Sequence, residues 1–263
     1  MDFQFKKKFG QNFLKDTRIV DRIVDVSGVS KESLVIEVGP GGAILTKALA
    51  RSVKRVLAYE IDTELADELH QKLDDFDNVD VIFQDFLDSD ILSDISSYSY
   101  DKIFFISNVP YYITTPIILK LIMSGIAFEK IVMMVQKEVG ERFSTRPGSR
   151  EYGSITVFLN YFYDIKKEFS VSRKQFIPEP NVDSVVISFS EKKNKLRVND
   201  FHFFENIVRD SFQFKRKNIR NNLKKYDLKI IEQVLNEYGY DLNVRAECLD
   251  VSVFVDISNA LKK

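Results

Sequence analysis

The sequence predicts an α/β protein in which a Rossmann-like, mainly parallel sheet is followed by a smaller all-helical C-terminal domain. Short apolar segments alternate with amphipathic helical segments through the first two-thirds of the chain, which is the pattern of successive βαβ units. After about residue 191, apolar residues recur only at helical spacing. We therefore expect a sheet domain over residues 1–191 and a helical domain over residues 192–263.

Seven apolar segments are predicted to be strands. The first five belong to the alternating part of the chain and predict the parallel sheet. The last two have no long helix between them and suggest an antiparallel hairpin at one edge. In chain order the seven segments are Leu34–Val38, Arg55–Tyr59, Val79–Phe83, Ile103–Ile106, Ile131–Val135, Ser154–Tyr163 and Val182–Phe189.

The composition of the 263 residues favours a cytoplasmic protein without a metal. No apolar run approaches the ~20 residues needed to span a bilayer, and none follows the N-terminal lysines as in a secretory signal. Cys248 is the only cysteine, so an internal disulfide is excluded and a reducing compartment is expected. His70 and His202 stand outside any ligand cluster, which disfavours a zinc site or a His-based triad.

The net charge of −1 conceals a strong asymmetry along the chain. Residues 60–101 contain fourteen acids and one lysine, whereas residues 191–225 contain eleven bases and four acids. A chain with one basic side can bind a polyanion although its total charge is near zero. The alternative is an ordinary solvated face, and most of the aromatic residues in the basic segment have the spacing of helix core residues.

A glycine turn after the first strand predicts a nucleotide-type cofactor. Gly39 and Gly41 would allow a ligand to approach the backbone closely at the start of the next helix. The dinucleotide fingerprint needs a third glycine where Ile44 stands, so NAD is disfavoured. A strand acid, Glu37, before Gly-x-Gly-x-small is instead the form used for S-adenosylmethionine.

Acids follow the next two strands. Glu60 ends the second strand, nineteen residues after Gly41, where an acid can accept from both hydroxyls of a ribose. Asp85 follows the third strand and could accept from an adenine amine. Each acid alone could be a helix cap, but carboxyl ends of parallel strands meet at one edge, which favours a shared site.

The segment Asn108–Tyr111 follows the fourth strand and suits the binding of a flat base by its exocyclic amine. The side-chain oxygen of Asn108 and the carbonyl of Val109 could each accept one N–H. Pro110 fixes φ and has no N–H to compete, and Tyr111 offers a ring face for stacking. A plain strand-to-helix turn would use similar residues.

Together these segments resemble the ribosomal RNA adenine N6-dimethyltransferases, and within them the bacterial small-subunit branch. Ala43 departs from the family pattern, which usually has glycine there, and Val109 replaces the commoner leucine. The matching segments span nearly the whole chain and are Lys8–Leu14, Val35–Thr46, Asn108–Pro116, Val135–Val139, Phe176–Ser184 and Lys215–Leu223.

The resemblance implies that S-adenosylmethionine is the methyl donor and that two adjacent adenines near the 3′ end of small-subunit rRNA are the substrate. It also implies a monomer that acts on a pre-ribosomal 30S particle in the cytoplasm, with no membrane partner. The implied donor-binding residues are Gln11, Asn12, Leu14, Glu37, Gly39, Gly41, Glu60, Ile61, Asp85, Phe86 and Asn108. The implied catalytic residues are Asn108, Val109, Pro110, Tyr111 and Phe176, with Phe176 as a second stacking face. The implied RNA-binding residues are Arg146, Lys215, Arg216, Lys217 and Arg220.

Three other functions remain open from the sequence. The antibiotic-resistance branch of the same superfamily methylates an adenine of large-subunit rRNA, and the segments Tyr111–Pro116 and Phe176–Ser184 favour the small-subunit branch over it. A ribosome-assembly factor that has lost catalysis is a second alternative, which the retention of Glu60, Asp85 and Asn108 disfavours. A DNA adenine methyltransferase is a third, disfavoured by the basic helical tail.

Overall fold

Residues 12–262 of the chain are described by a computed structural model. The strands of this part are β1 (Phe13–Leu14), β2 (Ser33–Val38), β3 (Arg55–Glu60), β4 (Val79–Phe83), β5 (Lys102–Asn108), β6 (Lys130–Gln136), β7 (Tyr163–Val171), β8 (Phe176–Ile177) and β9 (Ser184–Glu191). The helices are α1 (Thr17–Ser27), α2 (Ile44–Ser52), α3 (Ala66–Leu73), α4 (Ile91–Ile95), α5 (Thr114–Met123), α6 (Lys137–Phe143), α7 (Ser154–Phe162), α8 (Phe201–Ser211), α9 (Ile219–Asn222), α10 (Leu228–Glu237) and α11 (Val251–Leu261).

Seven strands form the main sheet, in the order β4-β3-β2-β5-β6-β9-β7. The five from β4 to β6 are parallel, and β9 runs antiparallel to β6, which confirms the predicted α/β class. β2 is buried along its whole length, as expected for a central strand covered by helices on both faces. Its residue Val35 is aligned with Val56 on one side and Phe104 on the other.

The strand order reverses between β2 and β5. From β2 the chain proceeds outward through β3 to β4 and then returns to place β5 on the other side of β2. The loops that leave β2 and β5 therefore diverge and open a crevice at the carboxyl ends of these strands, which is where open parallel sheets bind ligands.

The prediction of an edge strand over Ser154–Tyr163 is wrong, because residues Ser154–Phe162 form helix α7. A short run of β-branched and aromatic residues fits a strand and a buried helix equally well, and here packing decides. Val157 is fully buried in the same cluster as Phe204. The actual edge strand, β7, was missed because it carries Lys166, Lys167 and Glu168, the polar composition of a sheet edge.

The described chain divides into two compact units. The first runs to Gly140 and resumes at Lys166–Glu191, and the second comprises Glu141–Ile165 together with the residues from Lys192 onward. The chain therefore passes between the units three times, after Gly140, after Ile165 and after Glu191. The predicted boundary lies at the third of these positions. The other two were not anticipated: residues 141–165 group with the C-terminal unit because the apolar side of α7 lies in its core.

Each unit has its own apolar core. In the first unit, residues of β2, β5 and β6 pack against α1 and α2. In the second, α8, α10 and α11 enclose a cluster that includes Ile207, Leu235 and Phe254. Within residues 12–262, no helix has the length and apolar character needed to cross a membrane.

Candidate active site

A cleft lies at the carboxyl ends of β2, β3, β4 and β5, in the first unit. Within the described residues, it brings together every predicted donor-binding residue and four of the five predicted catalytic ones. These lining residues are Asn12, Leu14, Glu37, Gly39, Gly41, Glu60, Ile61, Asp85, Phe86, Asn108, Val109, Pro110 and Tyr111. Gln11, also predicted, lies outside the described residues.

The glycine turn forms the floor of the cleft, and its backbone conformation requires glycine. Gly39 has φ of 73°, and its N–H donates to the Tyr59 carbonyl at 2.8 Å. Gly41 has φ of 49°, and a Cβ added there would lie 2.7 Å from the ring of Phe13. Both the left-handed backbone and the close approach of β1 therefore exclude a side chain at Gly41.

Glu60 is held by the same turn. One of its carboxylate oxygens accepts from the Gly41 N–H at 3.3 Å and the other accepts from the Asp62 N–H at 3.0 Å. The carboxylate is 5% exposed, and burial raises its pKa, although the two backbone donors act in the opposite direction. Each oxygen retains acceptor capacity, which suits a ligand with two adjacent hydroxyls.

Glu37 is a buried acid that the protein alone does not satisfy. The side chain is 1% exposed, and its Oε2 has no hydrogen-bond partner among residues 12–262. Burial raises the pKa of Glu37 to about 8; the hydroxyl of Thr46 acts in the opposite direction, and the nearby Glu60 charge adds a smaller increase. An orphaned buried oxygen that lines a cleft is a position where a ligand cation would be stabilised.

Asp85 stands on an anchored loop. Its Oδ1 accepts from the Leu87 N–H at 2.9 Å, so the carboxylate caps the short turn that follows β4. The ammonium group of Lys120 donates to the carbonyls of Leu87 at 2.9 Å and Ser89 at 2.6 Å. The adjacent Phe86 ring is 2% exposed and packs edge-on against Tyr59 at 5.1 Å. These contacts fix Asp85 at the rim of the cleft.

The segment after β5 is fixed from three directions. The Asn108 amide donates to the Asn12 carbonyl at 3.3 Å, which turns Oδ1 away from that carbonyl. The Val109 N–H donates to the Met134 carbonyl at 3.2 Å. The Tyr111 hydroxyl lies 2.6 Å from the hydroxyl of Ser184, a fully buried residue at the start of β9.

Phe176 is the one predicted catalytic residue in the described chain that does not line the cleft. It lies in β8, opposite Leu14 of β1, and is only 1% exposed within the core of the first unit. Because its ring faces are covered by this packing, a base could reach them only after the side chain moves. Its stacking role stays a prediction.

The cleft also contains residues that were not singled out from the sequence, among them three with aromatic or amide side chains. Phe13, Gln84 and Tyr112 all line it, and Tyr112 is 54% exposed. Partial burial raises the pKa of Tyr112, and the charges of Asp85 and Glu60 add to this increase. Phe13 and Tyr112 lie inside the motifs that were recognised, so adjacency to Asn12 and Tyr111 was the available signal.

The predicted RNA-binding residues all belong to the second unit. Arg146, Lys215, Arg216, Lys217 and Arg220 are exposed. Lys215 lies close enough to Glu151 for its charge to help lower the pKa of that carboxylate, an effect led by the Ser149 hydroxyl. Residues 12–262 contain no group of three or more His, Cys, Asp or Glu side chains arranged to hold a metal ion.

The donor set matches S-adenosylmethionine in its chemistry. Glu60 offers two oxygens for a ribose, Asp85 can accept from an adenine amine, and the unpaired Glu37 oxygen suits an ammonium group. The glycine turn lines the same cleft just before the start of α2. The residues present therefore fit this cofactor.

A family model and two relatives that match nearly the whole chain all carry names of ribosomal RNA methylating proteins. A family model described as ribosomal RNA adenine dimethylase matches residues 2–263. "Ribosomal RNA small subunit methyltransferase A" of Streptococcus gordonii is 42% identical over 99% of this chain and 93% of its own. The protein of the same name in Bacillus mycoides is 39% identical over 98% of this chain and 92% of its own.

Two solved structures share the fold over nearly the whole chain. A dimethyladenosine transferase from Plasmodium falciparum has a TM-score of 0.77 and 26% identity, covering 93% of this chain and 95% of its own. The 23S rRNA methyltransferase ErmE has a TM-score of 0.75 and 25% identity, covering 96% of this chain and 100% of its own.

Replacing Glu37 with Gln should change how stability depends on pH. The pKa of Glu37 rises from 4.5 to about 8 on folding, so its contribution to stability is complete below pH 4.5 and is lost as the pH rises through about 8. Gln does not titrate. Melting temperatures at about pH 5 and 8 should therefore show Glu37→Gln gaining on wild type as the pH rises. The exposed Glu237→Gln is the control, and a gap for Glu37→Gln that stays constant with pH would contradict the assignment.

Replacing Ala43 with Gly should stabilise the protein. Ala43 is fully buried with φ of 62°, a left-handed conformation that costs a non-glycine residue about 1 kcal/mol. Thermal unfolding of Ala43→Gly should shift upward by about 2–4 °C. Ala50→Gly, in the interior of helix α2, which begins directly after Ala43, should shift the unfolding temperature downward. Equal downward shifts in both variants would show that no strain is present at Ala43.

Proposed function

This chain belongs to the ribosomal RNA adenine dimethylase family, and on that premise we propose its substrate and the roles of its residues. It is an S-adenosylmethionine-dependent enzyme that dimethylates N6 of two adjacent adenines in the 3′-terminal hairpin loop of small-subunit (16S) rRNA, late in small-subunit assembly. One observation carries the proposal: donor-type acids at the ends of β2, β3 and β4 share a cleft with the Asn108–Tyr111 segment at the end of β5.

In this proposal the acids orient the donor. Glu60 accepts from the two ribose hydroxyls, Asp85 from the adenine amine, and Glu37 faces the methionine ammonium group. Asn12, Leu14, Ile61 and Phe86 provide surrounding contacts. When bound, S-adenosylmethionine supplies an electrophilic methyl group on a sulfonium centre.

Asn108 and Val109 orient the acceptor. An aromatic amine is a poor nucleophile because its lone pair is delocalised into the ring. Acceptance of its two N–H groups by the Asn108 Oδ1 and the Val109 carbonyl would pull the amine towards a pyramidal geometry and direct the lone pair at the methyl group. Since Asn108 donates to Asn12 and Val109 donates to Met134, both groups are held before the base arrives.

The residues in the cleft fit a reaction that needs no general base before transfer. The amine becomes acidic only after alkylation, so its proton can leave to water. Tyr111 stacks on the extruded adenine, with its hydroxyl held by Ser184. In this arrangement the protein acts by holding the acceptor amine in position and by accepting its N–H groups, and it uses no general acid or base.

The small-subunit substrate is favoured over the large-subunit one by the relatives. Proteins named as small-subunit methyltransferases are 39% and 42% identical to this chain, whereas ErmE, named for 23S rRNA, is 25% identical. We further propose that the enzyme acts as a monomer on a pre-ribosomal 30S particle in the cytoplasm.

The substrate is tested with labelled S-adenosylmethionine, unmethylated small-subunit particles and naked large-subunit rRNA. Dimethyladenine in the small-subunit RNA is the expected result. Label in the large-subunit RNA alone would assign the chain to the resistance branch, and tight particle binding without label would make it a non-catalytic assembly factor.

Asn108→Ala should abolish methyl transfer, lowering the rate by about a hundredfold or more, because one of the two amine acceptors is lost. Donor binding, measured by calorimetry, should stay nearly intact because Glu60 and Asp85 remain. The exposed Asn236→Ala serves as a control for an amide lost elsewhere. Normal turnover by Asn108→Ala would refute the mechanism.

Replacing Lys215, Arg216 and Lys217 with Gln should weaken rRNA binding and reduce its salt dependence. Each lost phosphate contact lowers the slope of log affinity against log salt concentration by about 0.7–0.9. Filter binding across a salt series measures this slope, with Lys229→Gln on helix α10 as the control. An unchanged slope in the triple variant would remove these residues from the interface.

A further inference from the structure

Phe214 is an exposed aromatic residue that the packing of its own unit leaves unused. It lies between helices α8 and α9, and its side chain is 56% exposed. The neighbouring rings of Phe201, Phe203 and Phe212 instead pack against the core of the second unit. Exposure of a single ring is common at protein surfaces, so the backbone that holds Phe214 and the charges near it decide whether the ring has a role.

The backbone on both sides of Phe214 is fixed by one buried amide. Asn222 is 6% exposed, and its oxygen accepts from the Phe214 N–H at 3.2 Å. Its nitrogen donates to the Ser211 carbonyl at 2.7 Å and lies 3.4 Å from the carbonyls of Phe214 and Lys217. The Lys217 N–H closes the turn onto the Phe214 carbonyl at 2.8 Å. The ring is therefore presented by a preorganised loop, so little backbone entropy is lost when it meets a partner.

The loop and the helix that follows it carry four cations that form no ion pair with a described residue. Lys215, Arg216, Lys217 and Arg220 are exposed, and none of them forms an ion pair within residues 12–262. Lys225, in contrast, pairs with Asp210 at 2.9 Å. An exposed ring among unpaired cations matches a polyanion that carries flat, unpaired bases.

We propose that Phe214 is a stacking platform for an unpaired base of the substrate RNA, with Asn222 as the residue that positions it. The cations neutralise the phosphates on either side of the stacked base. Stacking requires an unpaired base with an accessible face but does not distinguish one base from another, so this contact favours single-stranded or looped RNA. The inference rests on the proposed rRNA substrate and adds a base contact, remote in sequence from the methyl-transfer residues, to the charge contacts already described.

The test is binding of unmethylated small-subunit particles by Phe214→Ala, Phe214→Tyr and Phe214→Leu. Loss of the ring should weaken binding by about five- to a hundredfold, because one stacked base is lost. Tyr should restore binding, whereas Leu, which keeps the apolar contact but has no flat face, should not. Tyr238→Ala is the matched control. Tyr238 lies in the same unit and is 38% exposed, but its hydroxyl donates to the Asp256 carboxylate and its ring does not lie among cations. Donor binding should be equal in all variants.

Ultraviolet crosslinking followed by mass spectrometry provides a direct readout. A nucleotide attached to Phe214 in the wild-type complex would support the stack. Wild-type binding by Phe214→Ala or by Phe214→Leu, or a crosslink to a ribosomal protein in place of a nucleotide, would overturn it. Failure of the wild-type chain to bind or methylate the particles would overturn the proposed function itself, a result separate from an unaffected Phe214→Ala.

Discussion

The structure of the proposed donor cleft depends on two carboxylates buried at the ends of adjacent parallel strands. Burial of a carboxylate is costly unless donors or cations compensate it. For Glu60 the compensation comes from the N–H groups of Gly41 and Asp62. The Gly41 contact requires the turn after β2 to fold back over β3, which in turn requires positive φ at Gly39 and Gly41. Glu37, one strand away, receives no such compensation at Oε2 from the described residues. Glu60 therefore has hydrogen-bond donors from the protein, whereas the unpaired oxygen of Glu37 can accept from a cationic ligand.

The proposed catalytic side of the cleft is built from neutral groups, and this agrees with the chemistry. S-adenosylmethionine already carries the charge that makes its methyl group reactive, so in the proposed mechanism the protein has only to hold the acceptor amine in line. Asn108, Val109 and Tyr111 are each tied to a different part of the first unit: the N-terminal segment, β6 and β9. A segment held from three sides moves little, and small displacements are what such a reaction tolerates least.

Sequence alone predicted the parts of this architecture that follow from local pattern. Five parallel strands, the glycine turn and the acids at the end of β3 and after β4 were recognisable because their residue types and spacings have few other uses. The helix α7 and the edge strand β7 were not, since the composition of each contradicts its structure and tertiary packing decides. Tertiary contacts also explain what was missed at the site. The partnership of Tyr111 with Ser184 joins residues 73 positions apart, and the core packing of Phe176 arises from its pairing with the two-residue strand β1.

Two unfavourable contributions to folding lie in or beside the turn that follows β2, and they differ in kind: one is the burial of carboxylates and the other is backbone strain at Ala43. In the proposed binding mode, the ammonium group of the donor would stabilise the charged form of Glu37, which burial disfavours, and the ribose hydroxyls would donate hydrogen bonds to Glu60. Donor binding should then stabilise the folded state beyond the contacts it adds. The left-handed Ala43 gains nothing from the donor, since its strain lies in the backbone. The cost of burying the carboxylates cannot be removed without changing the groups proposed to bind the cofactor. The backbone strain at Ala43 can be removed separately, so stability can be gained at Ala43 without a change in the ligand contacts.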